Sequence, residues 1–363
     1  MKWIIPKQLN FKNAFADCQR MFKARRVQQV FGLDVGTSAV KIIQLRSDEN
    51  GYTVTAAGMA AIDVKVTSDR RGESVSKAIQ ECVQSAGIQT KFAVCGLCGQ
   101  ETVVRNFTLP LLKPEEMTGA VELEAKQVCP FNADDGFVDY QIVSRTEKEV
   151  HGYLVVAAGK FLRDRSKSVK DALLRNVLMD MDGLALINCL RYCRENETGP
   201  AAILNVGSSC ATLAIIGGDN IPFVRDLNYA GKAIVEHLAL QNSVTPIMVS
   251  GAMKEDGDSS GSDLDIQCNL EEASHKLISN VAETLYYDAV RRKSELVGKI
   301  FLCGGFALVD GFADLLKSKL PSETVLWNPF DKIHCAPSAP CADMLRDKGP
   351  AFAVAAGLAM RQI

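Results

Sequence analysis

The chain has 363 residues, 47% hydrophobic and 23% charged, which is enough apolar side chain to bury a large core in more than one lobe and too little charge for a disordered polyampholyte. A formal net charge of −2 gives no global attraction to nucleic acid, so no nucleic-acid partner is expected. The longest apolar run falls short of the ~18–20 residues that span a bilayer, and Met1-Lys-Trp-Ile-Ile-Pro6 is too short for a secretion signal, so the expectation is a cytoplasmic protein, free or attached to a membrane from its surface.

Residues 1–29 carry Lys2, Lys7, Lys12, Arg20, Lys23, Arg25 and Arg26 against the single acid Asp17. Asn10 can cap a following helix, and Phe11, Phe15, Cys18 and Phe22 recur at helical spacing. The spacing predicts a basic amphipathic helix over 10–26. Such a helix can lie on an anionic membrane surface or pack its aromatic face on its own domain, and both readings stay open.

The stretch Phe31-Gly-Leu-Asp-Val-Gly-Thr-Ser-Ala-Val-Lys-Ile-Ile-Gln-Leu45 reads as strand, tight turn, strand. Gly36 lets the backbone approach a ligand without a Cβ in the way. The amides around Gly36, Thr37 and Ser38 can form an anion-binding concavity. Asp34 ends the first strand, where a carboxylate can hold a metal-bound water, and Lys41 can reach back to a phosphate. A third strand is expected over Tyr52 to Ile62. Residues 72–150 then read as an α+β block: a helix over Glu73 to Ala86, strands over Lys91 to Leu97 and Glu101 to Leu109, a helix from Pro114 to Val128, and a strand over Phe137 to Val143. Within it, Cys95-Gly-Leu-Cys98 has metal or redox spacing, but it lies in a strand-like run with no histidine nearby. It reads as part of a strand, and the twelve scattered cysteines read as reduced thiols.

A strand over His151 to Ala158 and two helices complete the first part of the chain. Glu195-Asn-Glu-Thr-Gly-Pro200 marks a polar boundary. Beyond it the hairpin pattern repeats as Ile203-Leu-Asn-Val-Gly-Ser-Ser-Cys-Ala-Thr-Leu-Ala-Ile-Ile216, followed by a strand over Ile221 to Leu227 and a helix starting in Asn228-Tyr-Ala-Gly-Lys232. Residues 254–263 read as a solvated loop. A helix over Leu270 to Ser294 ends in Arg291-Arg-Lys293, where cations suit a helix C-terminus. Last comes Lys299-Ile-Phe-Leu-Cys-Gly-Gly-Phe-Ala-Leu-Val-Asp-Gly-Phe312, a buried strand, a Gly-Gly turn and a helix. Two copies of one hairpin half a chain apart indicate a duplicated fold.

These three elements in this order resemble the actin-like ATPase superfamily. Four further stretches narrow the resemblance to the PilM family of type IV pilus assembly proteins, relatives of the division protein FtsA: Glu122-Leu-Glu-Ala-Lys-Gln-Val-Cys-Pro-Phe131, Val138-Asp-Tyr-Gln-Ile142, Trp327-Asn-Pro-Phe330 and Phe352-Ala-Val-Ala-Ala-Gly-Leu-Ala-Met360. The resemblance covers residue 30 to the C-terminus. It implies an α/β, actin-like (ribonuclease-H-like, duplicated) fold of two halves with an inserted α+β subdomain. The expected division is an N-terminal extension at 1–29, a first half at 30–71 and 151–198, the insert at 72–150, a second half at 199–349, and a C-terminal helix at 350–363 returning to the first half.

By the same resemblance, ATP or ADP would sit between the halves. Gly36, Thr37, Ser38 and Lys41 would approach the phosphates from one side, and Gly207, Ser208 and Ser209 from the other. Gly231 and Lys232 would lie near ribose and phosphates, Gly304, Gly305 and Phe306 would wall the adenosine, and Asp34 would order Mg²⁺ through water. Glu124 reads as a solvated helix residue. Two positions depart from the pattern. Asn205 stands where the family has Asp and can act neither as base nor as anion toward a metal. Lys232 stands where the family has Gly, as a cation for phosphate or a side chain filling the cleft. The resemblance therefore implies binding with slow or absent hydrolysis. The implied partners are the cytoplasmic N-terminal segment of a PilN-like membrane protein, docking beside the insert, and other inner-membrane platform components. Alternative readings are an FtsA-like filament protein, a nucleotide-free scaffold, and a sugar kinase, which would need the base that Asn205 lacks.

Overall fold

A computed structural model describes residues 29–67, 70–131, 135–194, 199–253 and 266–361. The helix expected over 10–26 and the loop expected over 254–263 lie outside these residues. In chain order the elements are β1 (Phe31–Val35), β2 (Ala39–Asp48), β3 (Gly51–Ala61), α1 (Arg71–Ser85), β4 (Phe92–Leu97), β5 (Thr102–Pro110), α2 (Pro114–Val128), β6 (Gly136–Arg145), β7 (Glu149–Ala158), α3 (Gly159–Asp171), β8 (Arg175–Met181) and α4 (Asp182–Cys193). There follow β9 (Ala201–Val206), β10 (Ala211–Ile216), β11 (Pro222–Leu227), α5 (Gly231–Gln241), α6 (Pro246–Ala252), α7 (Ile266–Arg292), β12 (Lys299–Cys303), α8 (Phe312–Lys319), β13 (Glu323–Leu326), α9 (Ala342–Lys348) and α10 (Ala353–Ala359).

The strands form two five-stranded sheets of one topology. The first runs β3-β2-β1-β4-β8 and the second β11-β10-β9-β12-β13. In each, an antiparallel three-strand meander is extended by two parallel strands. β1 and β9 are central and accordingly apolar along nearly their whole length, with Phe31, Leu33, Ile203 and Leu204 fully buried. A third, three-stranded sheet, β5-β7-β6, carries α2. Met117, Val121 and Ala125 of α2 close its own small core over Val103, Phe107, Leu154 and Val156, and Pro114 starts the helix where a missing N–H costs nothing.

The sheets redraw the expected insert. The helix over Arg71–Ser85 packs on β2, β3 and α3, and the strand Phe92–Leu97 pairs with β1, so both belong to the first sheet. Conversely Glu149–Ala158, expected back in the first half, is the central strand of the third sheet and pairs with β5 and β6 along its length. The separate unit thus runs from about Cys98 to Ala158 rather than over 72–150. Pairing decides the matter, and sequence rhythm does not record it. β8 was hidden between the two helices expected after residue 158; it lies at the sheet edge, half-buried over most of its length.

α10 joins the layers. Every residue from Ala353 to Ala359 is buried. The helix rests on β1, β2 and α4, and α4 in turn touches β10 and β11 of the second sheet. The approach is so close that a Cβ on Gly32 would overlap the Ala355 carbonyl, and one on Gly357 would overlap the backbone of Ala185.

Candidate functional site

Both repeated hairpins turn in the same way. Gly36 N–H donates to the Ala39 carbonyl at 3.1 Å, and Gly207 N–H donates to the Cys210 carbonyl at 3.0 Å. A Cβ at either glycine would come within 2.9 Å of that carbonyl oxygen, so the two turns exclude side chains for one reason. Asp34 and Lys41 are cross-strand partners in the first hairpin, and Lys41 Nζ lies 3.1 Å from Asp34 Oδ2. Ser38 is exposed, and its carbonyl accepts from Ile62 N–H at 2.9 Å.

The fold brings the hairpin tips together across the halves. Thr37 Oγ1 donates to Ser209 Oγ at 3.0 Å. The start of α5 then docks on the second turn: Gly231 N–H donates to the Gly207 carbonyl at 3.1 Å, and Lys232 N–H to the Ser208 carbonyl at 2.6 Å. Gly231 is packed beneath the Phe306 ring, which a Cβ would overlap, and that ring stands edge-on to Phe312 at 4.9 Å. Gly304 adopts φ +100, where a side chain would be strained, and sits against Asn205 and Val206. Gly305 faces open space. Asn205 Oδ1 accepts a weak bond from the Cys303 thiol at 3.9 Å. Lys232, expected near the phosphates, points away from the turns. Its ammonium lies 3.7 Å from Glu236 on the exposed side of α5, because the helix it starts needs its backbone at the turn and leaves its side chain outside.

Two groups that sequence reasoning missed, Asp182 and Asp226, and one it read only as part of a strand, Cys98, lie behind the hairpins. Asp182 opens α4 and is 5% exposed, and its Oδ1 has no hydrogen-bond partner. Burial, reinforced by the Asp34 carboxylate, pushes its carboxyl up to about 8. A hydrogen bond with Cys210, burial, and the neighbouring Asp182 charge hold the Cys98 thiol well above its ordinary range. Asp226 on β11 accepts from Thr212 Oγ1 at 2.6 Å, Gly99 N–H at 2.8 Å and Thr102 Oγ1 at 3.4 Å, so it clasps the start of the inserted sheet to the second half. Burial raises its pKa although all three donors lower it. The signal for Asp182 was an Asp-Gly pair between a strand and a helix; for Asp226 it was a lone acid inside an apolar run.

Asp226 also borders a groove of about 580 Å³. It is lined by the edge strands β5 and β11, through Thr102, Val104, Val224 and Asp226, together with Phe131 and Gly183 of α4.

A duplicated sheet, two matched glycine turns facing each other, and a Gly-Gly turn beside them define a protein of the actin-like ATPase fold. The chain also matches the family described as type IV pilus assembly protein PilM over residues 32–363, and it belongs to that family. Among solved structures it is similar to a chain of a PilM-PilN type IV pilus biogenesis complex, at 21% identity and TM-score 0.80, covering 93% of this chain and 99% of that one. It is also similar to the ethanolamine utilization protein EutJ from Carboxydothermus hydrogenoformans, at 11% identity and TM-score 0.55, covering 97% and 99%. A diol dehydratase-reactivating factor in nucleotide-free form gives the same identity and TM-score, covering 92% and 99%. Among the described residues, no helix is long and apolar enough to cross a membrane.

Proposed function

We propose that the chain is a nucleotide-responsive scaffold on the cytoplasmic side of a type IV pilus, or related type II secretion, inner-membrane platform. ATP or ADP with Mg²⁺ binds between the hairpins, and the N-terminal segment of a PilN-like membrane protein lies in the groove between β5 and β11. The observation that carries the reading is the equivalence of the two turns, each with a glycine that clears the carbonyl three residues on, and the two meeting at Thr37 and Ser209. The residues fit the nucleotide: Gly305 leaves a bare wall beside the turns, and Asp34 and Lys41 put an anion and a cation at the first one. Bound nucleotide brings phosphate charge that the turn amides and Lys41 would neutralise, and a magnesium ion would take water and oxygen ligands beside Asp34. With Asn205 in place of an aspartate, the second hairpin supplies no carboxylate to orient water, so turnover is slow. In the groove, unpaired strand edges offer backbone donors and acceptors to an extended segment.

A second reading, a scaffold without nucleotide, is favoured by one contact: the Thr37–Ser209 hydrogen bond joins the tips where phosphates would part them. Calorimetry separates the two. The first reading expects one MgATP or MgADP per chain, and one copy of a synthetic peptide from the partner's cytoplasmic N-terminus. Peptide binding without nucleotide heat at millimolar concentration leaves the second reading, and silence from both ligands overturns both.

A further inference from the structure

Cys98 and Cys210 are half-buried and lie within hydrogen-bond reach of one another. They are anchored to different sheets. Cys98 directly follows β4, which pairs with β1 in the first sheet, and Cys210 closes the second glycine turn, just before β10 of the second sheet. A neighbouring clamp holds the two segments together. Gly99 N–H donates to Asp226 Oδ2 at 2.8 Å, and Thr212 Oγ1 donates to Oδ1 of the same carboxylate at 2.6 Å. The residue after Cys98 and the second residue after Cys210 are thus pinned to one side chain. Cys210 also follows Ser209, whose hydroxyl accepts from Thr37 across the cleft at 3.0 Å. The cysteines among the described residues are free thiols. Two other contacting pairs, Cys189 with Cys193 and Cys335 with Cys341, lie within one helix and within one loop, and joining either would link nothing across the cleft.

We propose that Cys98 and Cys210 are a thiol–disulfide latch between the halves, closed by a small-molecule disulfide and opened by small thiols. The Cys210 thiolate attacks one sulfur of the small disulfide, whose S–S bond breaks and releases the first small thiol. Cys98 then attacks the Cys210 sulfur, and the second small thiol leaves. The two protein sulfurs are oxidised by two electrons, the small disulfide is reduced to two thiols, and the two cysteine protons end on those thiols. Cys210 reacts first because it stands beside exposed Ser209. Burial and the Asp182 charge keep Cys98 protonated, and its contact with the Cys210 sulfur offsets the scarcity of its thiolate in the second step. In a reducing compartment the resting state is the dithiol.

The hydrogen-bonded clamp at Asp226 can open, whereas a covalent link cannot. The disulfide fixes the second turn against the first sheet with the tips at Thr37 and Ser209 together, where phosphates need them apart. Nucleotide entry is therefore the step the latch controls. That consequence rests on the nucleotide reading above; the latch itself does not.

The test incubates the reduced full chain with oxidised glutathione, blocks the remaining thiols and maps the peptides by mass spectrometry. Peptides joined through Cys98 and Cys210 are expected, absent from Cys98→Ser and Cys210→Ser and lost on adding dithiothreitol. Calorimetry of the oxidised wild type should show MgADP affinity weakened at least ~10-fold and recovered on reduction, while the affinity of Cys210→Ser should not respond to the oxidant. Glutathione that stays on Cys210, or no joined peptides at all, overturns the latch. A crosslinked chain that binds MgADP as the reduced chain does overturns its control of entry. If the reduced chain takes up no nucleotide, the nucleotide reading fails and control of entry fails with it, while the joined peptides still decide the latch.

Discussion

Replacing Asp182 by asparagine removes the proton that the fold is arranged to keep. In the folded chain the carboxyl is pushed from 3.8 up to about 8 by burial and by Asp34. Below pH ~4 both folded and unfolded chains hold the proton, and no penalty exists. From there to pH ~8 the unfolded chain releases it while the folded chain retains it, so each pH unit costs the wild type about 1.4 kcal/mol of stability. Between pH 5 and 7 this amounts to ~3 kcal/mol, and asparagine, which does not titrate, escapes it. The stability of Asp182→Asn relative to wild type should therefore rise by ~2–3 kcal/mol over that interval, whatever its value at pH 5. Urea unfolding of both proteins across this range reads the difference directly. Adding Asp34→Asn to the wild type should reduce the slope, because it removes the neighbouring charge. Parallel stability curves for wild type and Asp182→Asn would refute the reasoning, since they would mean that Asp182 is ionised in the folded protein.

Asp226→Ala strips the acceptor from Gly99, Thr102 and Thr212 together; unfolding should show a loss of ~2–4 kcal/mol, and peptide affinity for the groove should fall at least ~10-fold. Gly32→Ala forces a methyl into the Ala355 carbonyl and should cost upwards of ~3 kcal/mol, seen as a lower denaturation midpoint, whereas Gly72→Ala, with open space around it, should be neutral or slightly stabilising. Asn205→Asp restores a carboxylate to the second hairpin and should raise ATP turnover while leaving nucleotide affinity within a few-fold; phosphate release under saturating MgATP measures it. A wild-type turnover of ~1 s⁻¹ or more would contradict the slow cycle inferred from Asn205.

The hairpins and the Gly-Gly turn were legible because each needs glycine for a steric reason that is also local. Gly36 and Gly207 must clear a carbonyl three residues on, and that constraint is visible in a short window. The helix from Pro114 to Val128 was equally plain, with proline at its start and apolar residues at helical spacing. The limits of the inserted sheet were not legible. Phe92–Leu97 and Glu149–Ala158 are both apolar strands, and only their hydrogen-bond partners, far away in sequence, decide which sheet each joins. Asp182 and Asp226 escaped notice for a related reason: an aspartate next to a glycine or in a strand says little until the fold encloses it. Lys232 shows the converse, since its position in the pattern placed the backbone at the second turn but not the side chain.

The seating of α10 on β1 has a consequence for how the chain acquires its shape. Gly32 and Ala355 touch, yet they stand at opposite ends of the described chain. During synthesis the first hairpin emerges early with one flank bare, and nothing made before α10 can cover it. The second sheet depends less on a distant segment: α5 to α8, contiguous with its strands, close one face, and α4, made just before it, lies against β10 and β11 on the other. The half made later should therefore consolidate sooner, with the first half completed only when α10 arrives, a long-range closure of the kind that slows folding. A growing chain would meanwhile expose β1 and α4, which makes the unfinished first half the part most in need of a chaperone's protection.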